Sequence, residues 1–211
     1  MDPREEAFEK ARKLAESEKI DDALEAIAEY TSQEGIEYSL SEMKTVNIIV
    51  CEKVTSSSFE EKKAACLECI DLVEGVKMVK NADWLELYNE AVYEIFSKLC
   101  RGSRDEERNE AWNRLKEIYY EITLAAKKVW KEKNSPQALE IYVNYAKLVK
   151  SYFDVADEDS FKICETFAKE ARFIGKGTLD DDQYRDAKKS IDVINKAITD
   201  AKHDKENMLD D

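Results

Sequence analysis

The stretch KLAESEKIDDALEAI, residues 13–27, carries apolar residues at helical spacing on both sides of a charged break from Glu16 to Asp22. A single amphipathic helix would keep its apolar stripe running. Here the stripe stops after Leu14 and Ala15 and restarts beyond Asp21 and Asp22, either of which can cap a new helix. The break therefore reads as a corner between Glu5–Ser17 and Asp21–Thr31. Such a corner suits a plain helix pair, one unit of a helical repeat, or the docking edge of a larger helical protein.

Composition narrows the choice. The 211 residues include only 5 Gly and 2 Pro, while 38% are charged and 43% hydrophobic. That mixture suits helices with one buried face and one face of interleaved charges. No apolar run approaches the roughly 18 residues that read as a membrane span, and no signal peptide opens the chain. The expectation is a soluble, cytoplasmic protein that does not engage membranes. The net charge of −14 argues against nucleic acid, whose phosphates demand a basic footprint, and favours cationic peptides or proteins as partners.

The helical pattern barely stops along the chain. Beyond the first two helices, Met43–Val54 forms a third, entered through a turn in which Ser41 can cap. Phe59–Lys80 forms a fourth after TSSS, and Asn81 to about Leu99 a fifth. Asp105–Lys133 is a long sixth. Pro136 stands in the first turn of a seventh that runs to about Phe153. Phe161–Ile174 is the eighth and Asp182–Lys202 the ninth. Short connections make consecutive helices antiparallel neighbours. Residues 203–211 read as an acidic, disordered tail. No fixed period marks a TPR or HEAT array.

Five cysteines, at 51, 66, 69, 100 and 164, follow no regular spacing. They read as reduced thiols. Cys66 and Cys69 share a helix face beside Ile70 and Val73, and the only histidine, His203, lies in the tail, so buried packing is the expectation rather than a metal site. No cofactor is implied. GKGT at 175–178 lacks the spacing of a phosphate loop, and no nucleophile–base pair is available, so an enzyme is not expected. Lys127, Lys128, Lys131 and Lys133 form a basic cluster, read first as cations complementing the negative end of the sixth helix.

The segment from Lys10 to Val54 resembles the N-terminal part of 14-3-3 proteins in its LAE, the charged break, Asp21-Asp22, and then Thr31, Gln33, Gly35, Glu37, Ser39 and Glu42. Residues 135–191 are similar to that family's last three helices, with Pro136, Leu139, Asn144, Phe167–Ala171, Leu179, Tyr184 and Asp186 at matching places. The resemblance is strongest at the two ends of the chain. It implies an all-α fold of nine antiparallel helices with a concave groove over residues 1–202. The third and fourth helices are shortened after Val54 relative to that family. It also implies a dimer edge at the opening corner, marked by Leu14, Ala15, Asp21 and Asp22, and hence a homodimer or heterodimer.

In that family a lysine, two arginines and a tyrosine clamp a phosphoserine or phosphothreonine through charge-assisted hydrogen bonds. The matching positions here are Cys51, Ser58, Glu94 and Ile95, none of which keeps the residue type. Lys53 and Lys98 lie near enough in sequence to substitute as cations. The family's contact to the ligand backbone is kept at Asn144. Leu139, Val143 and Val193 fall at ligand-wall positions, and Glu140 replaces a groove glycine. Ser151, Ala197 and Ala201 also replace larger or polar family residues. The expected function is a divergent 14-3-3-like signalling adaptor that binds peptide segments, phosphorylated or not, with a degraded phosphate clamp. The alternatives are a helical scaffold or heterodimer partner with an idle groove, and a TPR-like peptide binder.

Overall fold

The computed structural model describes residues 2–32 and 35–210, with side chains through Met208. Gln33, part of the resemblance above, and Asp211, the last residue of the expected tail, lie outside the described residues. Among the described residues there are nine α-helices and no strands: α1 (Pro3–Glu16), α2 (Ile20–Thr31), α3 (Leu40–Ser56), α4 (Lys62–Ile70), α5 (Ala82–Gly102), α6 (Asp105–Val129), α7 (Pro136–Ser151), α8 (Glu158–Ile174) and α9 (Asp181–Asp210). The fold is all-α. None of these helices is long and apolar enough to cross a membrane. The chain divides into two compact units, Met1–Ser103 and Arg104–Asp211, where the sequence suggests one domain over 1–202.

In the first unit the opening stretch is a corner. The amides of Ser17 and Lys19 both donate to the Leu14 carbonyl, and that of Glu18 to Ala15. Glu18 turns the chain by adopting a φ of +62°. Helix α2 then begins at Ile20, with Lys19 as a cap lacking a side-chain bond. Asp21 and Asp22 are therefore in the first turn, where they favour the positive end of the helix, and neither is the cap. Helix α3 is capped by Ser39 rather than Ser41. The Ser39 amide donates to Glu42 at 2.6 Å and the Glu42 amide donates back to the Ser39 hydroxyl at 3.3 Å. This reciprocal box needs its acid three residues after the cap, a spacing that Ser39 and Glu42 supply and Ser41 does not.

The expected fourth helix over 59–80 is only Lys62–Ile70. Its last carbonyls, on Cys69 and Ile70, accept from the turn amides of Leu72, Val73 and Glu74, and the chain beyond finds partners elsewhere. The Tyr38 hydroxyl donates to the Leu72 carbonyl at 3.2 Å and the Tyr88 hydroxyl to that of Val73 at 2.5 Å. Gly75, at a φ of +67°, turns the chain. Its carbonyl accepts from the Gly35 amide at 3.0 Å, and the Lys77 amide donates to Ile36 at 2.8 Å. Residues 76–79 carry no regular structure and the chain bends at Lys80. Helix α5 buries Trp84, Tyr88, Ile95 and Phe96 along one face, and the Trp84 indole donates to the Tyr38 carbonyl at 2.9 Å.

In the second unit α7 packs along α9 and against α8. The Tyr142 and Phe167 rings stack at 3.5 Å, those of Tyr119 and Tyr145 at 4.4 Å, and the Tyr145 hydroxyl donates to Ser160 at 3.0 Å. Pro136 stands at the start of α7 as expected. Helix α6 ends at Val129, four residues before the expected Lys133, where Trp130 becomes extended and its indole donates to Gln137 at 3.2 Å. Helix α9 continues through His203 to Asp210, where a disordered tail is expected. Lys202 pairs with Glu165 at 2.8 Å, and the Lys205 ammonium reaches the Ala156 carbonyl and lies 5.7 Å from the Phe161 ring. Contacts to α8 and its approach thus hold the last turns that composition alone leaves loose.

Candidate functional site

The positions that the 14-3-3 resemblance matches to a phosphate clamp all fall in the first unit. Cys51 is half-buried on α3. Burial pushes its thiol up to about 12, helped by the carboxylates of Glu90, Glu94 and Glu52. A thiol held neutral among three carboxylates offers nothing to a phosphate dianion. Ser58 is exposed in the turn before α4 and is occupied with Glu61, to which its hydroxyl donates at 2.7 Å. Glu94 is half-buried on α5. Ile95, at the place of the clamp tyrosine, is 0% exposed and belongs to the core.

The two candidate replacement cations are already engaged. Lys53 lies 2.7 Å from Asp21 and 2.9 Å from Glu68, tying α3 to α2 and α4. The Asp21 hydrogen bond is the main reason its ammonium sits above the usual lysine range. Lys98 lies 3.6 Å from Glu94, one turn away on the same helix. At the suggested dimer edge Ala15 is buried within the unit, Leu14 is half-buried, and Asp21 and Asp22 are exposed. Cys66 and Cys69 are buried, and burial pushes their thiols up to about 11 and about 12.

The positions that the resemblance matches to peptide contacts fall in the second unit. Leu139 and Val143 are buried on α7, Glu140 is exposed, and Val193 on α9 is 40% exposed. Asn144 is 7% exposed, yet its carboxamide makes no hydrogen bond among the described residues. Its amide atoms are not fully enclosed and face solvent. A carboxamide can donate to a carbonyl and accept from an amide at once, which matches the edge of an extended peptide.

Sequence reasoning passed over Asn134. It is 1% exposed, and its amide donates to the carbonyls of Gly175 at 2.9 Å and Lys176 at 3.4 Å, joining the α6–α7 connection to the α8–α9 turn. Its one visible signal is position, directly after a charged run and before Ser135-Pro136.

Against known families, residues 31–153 match the domain of unknown function DUF7758, and the chain belongs to that family. The match covers the end of α2 through α7 and so includes Cys51, Glu94 and Asn144. Among curated proteins, none matches the chain.

Proposed function

We infer that this chain is a divergent 14-3-3-like adaptor that binds peptide segments of partner proteins without a phosphate clamp. The observation that carries the reading is Asn144, whose carboxamide on α7 makes no hydrogen bond among the described residues and reaches solvent. In its support, Val193 stays accessible on α9 and can meet an apolar ligand side chain. The absence of phosphate recognition is supported by the carboxylates around Cys51 and by the engagement of Lys53 and Lys98 with Asp21, Glu68 and Glu94. A phosphopeptide brought there meets repulsion where each charge-assisted bond would otherwise contribute about 1.5–3 kcal/mol. Five unpaired cysteines suit a reducing cytoplasm. The partners are proteins rather than nucleic acid, and a homodimer or heterodimer through the α1–α2 corner accompanies this reading.

A second reading, a helical scaffold or heterodimer partner that holds no peptide, is favoured by the exposed Glu140 carboxylate beside Asn144's helix face. One experiment separates the two. A displayed library of unphosphorylated peptides is selected on the whole chain and on its Asn144→Ala variant. Enrichment of a common motif whose binding weakens about tenfold in the variant supports the adaptor. Failure to enrich any motif supports the scaffold. A synthetic peptide with a basic residue, phosphoserine and proline is then compared with its unphosphorylated twin. Equal binding is expected, and a strong preference for the phosphorylated form overturns the loss of the clamp.

A further inference from the structure

Two helices of the second unit end at one place. Helix α6 stops at Val129, and the segment beyond it brings Lys131 and Lys133 against the last turns of α8. Between them opens a cleft of 950 Å³. Its apolar wall is Phe173, 93% exposed, with Ile174 beside it. Its polar wall carries four cations and a single carboxylate, Glu170, on a chain whose net charge is −14.

Not all of that positive charge is spent locally. Lys133 pairs with Glu170, and Arg172 pairs with Asp192. Lys131 and Lys169 have no ion-pair partner among the described residues. Cations in a last helical turn complement the helix dipole, which accounts for Lys127 and Lys128 on α6 and Arg172 on α8. It does not account for Lys131, which lies beyond the end of α6, or for an aromatic ring left in water beside it. An aromatic side chain in the open, flanked by unpaired cations, is the combination that a segment of opposite charge with its own apolar anchor can cover.

We propose that this cleft docks an acidic segment of a partner protein, one that carries an aromatic or large aliphatic side chain beside its carboxylates. The apolar side chain packs on Phe173 and Ile174, and the carboxylates meet the ammonium groups of Lys131 and Lys169. At physiological salt a charge is felt over about 8 Å. The ligand therefore responds to the cleft's own cations, and the acidity of the rest of the chain is screened from it. The surface uses none of the positions assigned on α7 and α9, so it stands independently of peptide binding at Asn144.

The probe is a fluorescein-labelled acidic peptide, EDEFEEL, titrated by anisotropy with the whole chain, beside a version whose Phe and Leu are serine. The variants are Lys131→Glu with Lys169→Glu, and Phe173→Ser. All three positions are exposed, and a thermal melt checks that folding is kept. Lys10→Glu with Lys44→Glu makes the same charge change on exposed residues of the first unit. Saturable micromolar binding is expected, about tenfold weaker in either cleft variant and for the serine peptide, and within about twofold of wild type in the control pair. Absence of saturable binding overturns the proposal, as does an equal loss in the control pair. Phe173-dependent sedimentation with phosphatidylserine vesicles without peptide binding assigns the cleft to a membrane surface and overturns it. A Phe173-dependent dimer without peptide binding assigns it to a second copy and does the same.

Discussion

The ammonium of Lys53 lies 2.7 Å from the carboxylate of Asp21, so a candidate phosphate-binding cation on α3 and a candidate dimer-edge residue on α2 are partners in one ion pair. Glu68 on α4 completes the pair as a triad, with its carboxylate 2.9 Å from the same ammonium. Both residues therefore help hold the first unit together, and Lys53 is engaged rather than free as a phosphate-binding cation.

Replacing Lys53 by Met should lower the stability of the first unit by roughly 0.5–1 kcal/mol, since the ammonium is shielded while Asp21 is open to solvent. The pH dependence has a definite sign. The folded ammonium titrates above the ordinary lysine range, chiefly through the Asp21 hydrogen bond. Its contribution is thus fully present below the unfolded lysine value and is lost as pH rises through the raised folded one. Urea unfolding of wild type and variant should show a gap that is constant near neutral pH and closes in strong alkali. A gap that widens with pH contradicts the assignment.

The corner between α1 and α2 stores strain. Glu18 holds a φ of +62°, a conformation that costs a non-glycine residue roughly 1 kcal/mol. Glu18→Gly relieves the strain but gives the unfolded chain more freedom. The net expectation is a gain of up to about 0.5 kcal/mol, whereas Glu18→Val should lose about 1 kcal/mol or more. Denaturant midpoints of the two variants moving in the same direction would contradict this account.

Ile95 is a core residue, with no exposed surface. Ile95→Ala should cost about 2–5 kcal/mol through the lost apolar contact and the cavity left behind. Ile95→Tyr, which places there the residue type that the resemblance implies for a clamp, should cost about 1–3 kcal/mol by overpacking. Unfolding curves check both values. A neutral Ile95→Tyr substitution would mean that the position can open toward a ligand.

Cys51 should be slow toward alkylating reagents near neutral pH despite being partly accessible. With its thiol pushed up to about 12, it holds roughly a thousandfold less thiolate than an ordinary cysteine. Burial is the main cause, and the carboxylates of Glu90 and Glu94 add to it. Glu94→Gln should therefore speed labelling at Cys51 severalfold without changing that at buried Cys164, measured by mass spectrometry after timed iodoacetamide treatment. Unchanged labelling at Cys51 would remove Glu94 from its surroundings.

Much of the secondary structure was legible because it rests on short-range chemistry. Pro136 opens a helix whose first amide has no partner in any case, Asn81 caps α5 through the Trp84 amide, and the apolar spacing of 139, 142, 145 and 149 places one face of α7 inward. The burial of Cys66 and Cys69 followed from the same periodicity. Ser41 is not the cap of α3, because the reciprocal box needs the three-residue spacing of Ser39 and Glu42.

Other features were settled by residues far apart in the chain. The segment beyond helix α4 finds its partners at Tyr38, Tyr88, Gly35 and Ile36, and no window within 59–80 contains them. Helix α9 is tied down past the expected end at Lys202 because Lys202 and Lys205 find Glu165, Ala156 and Phe161. The candidate site divides along the same line. From the sequence alone came the expectation, through the 14-3-3 resemblance, that Cys51, Ser58, Glu94 and Ile95 stand at clamp positions without clamp chemistry. Only the tertiary structure decided that Lys53 is engaged with Asp21 and Glu68, that Ile95 is core, and that Lys131 and Phe173 share a cleft. Charge and side-chain type belong to each residue locally, whereas burial and pairing depend on which distant segments the fold brings against it.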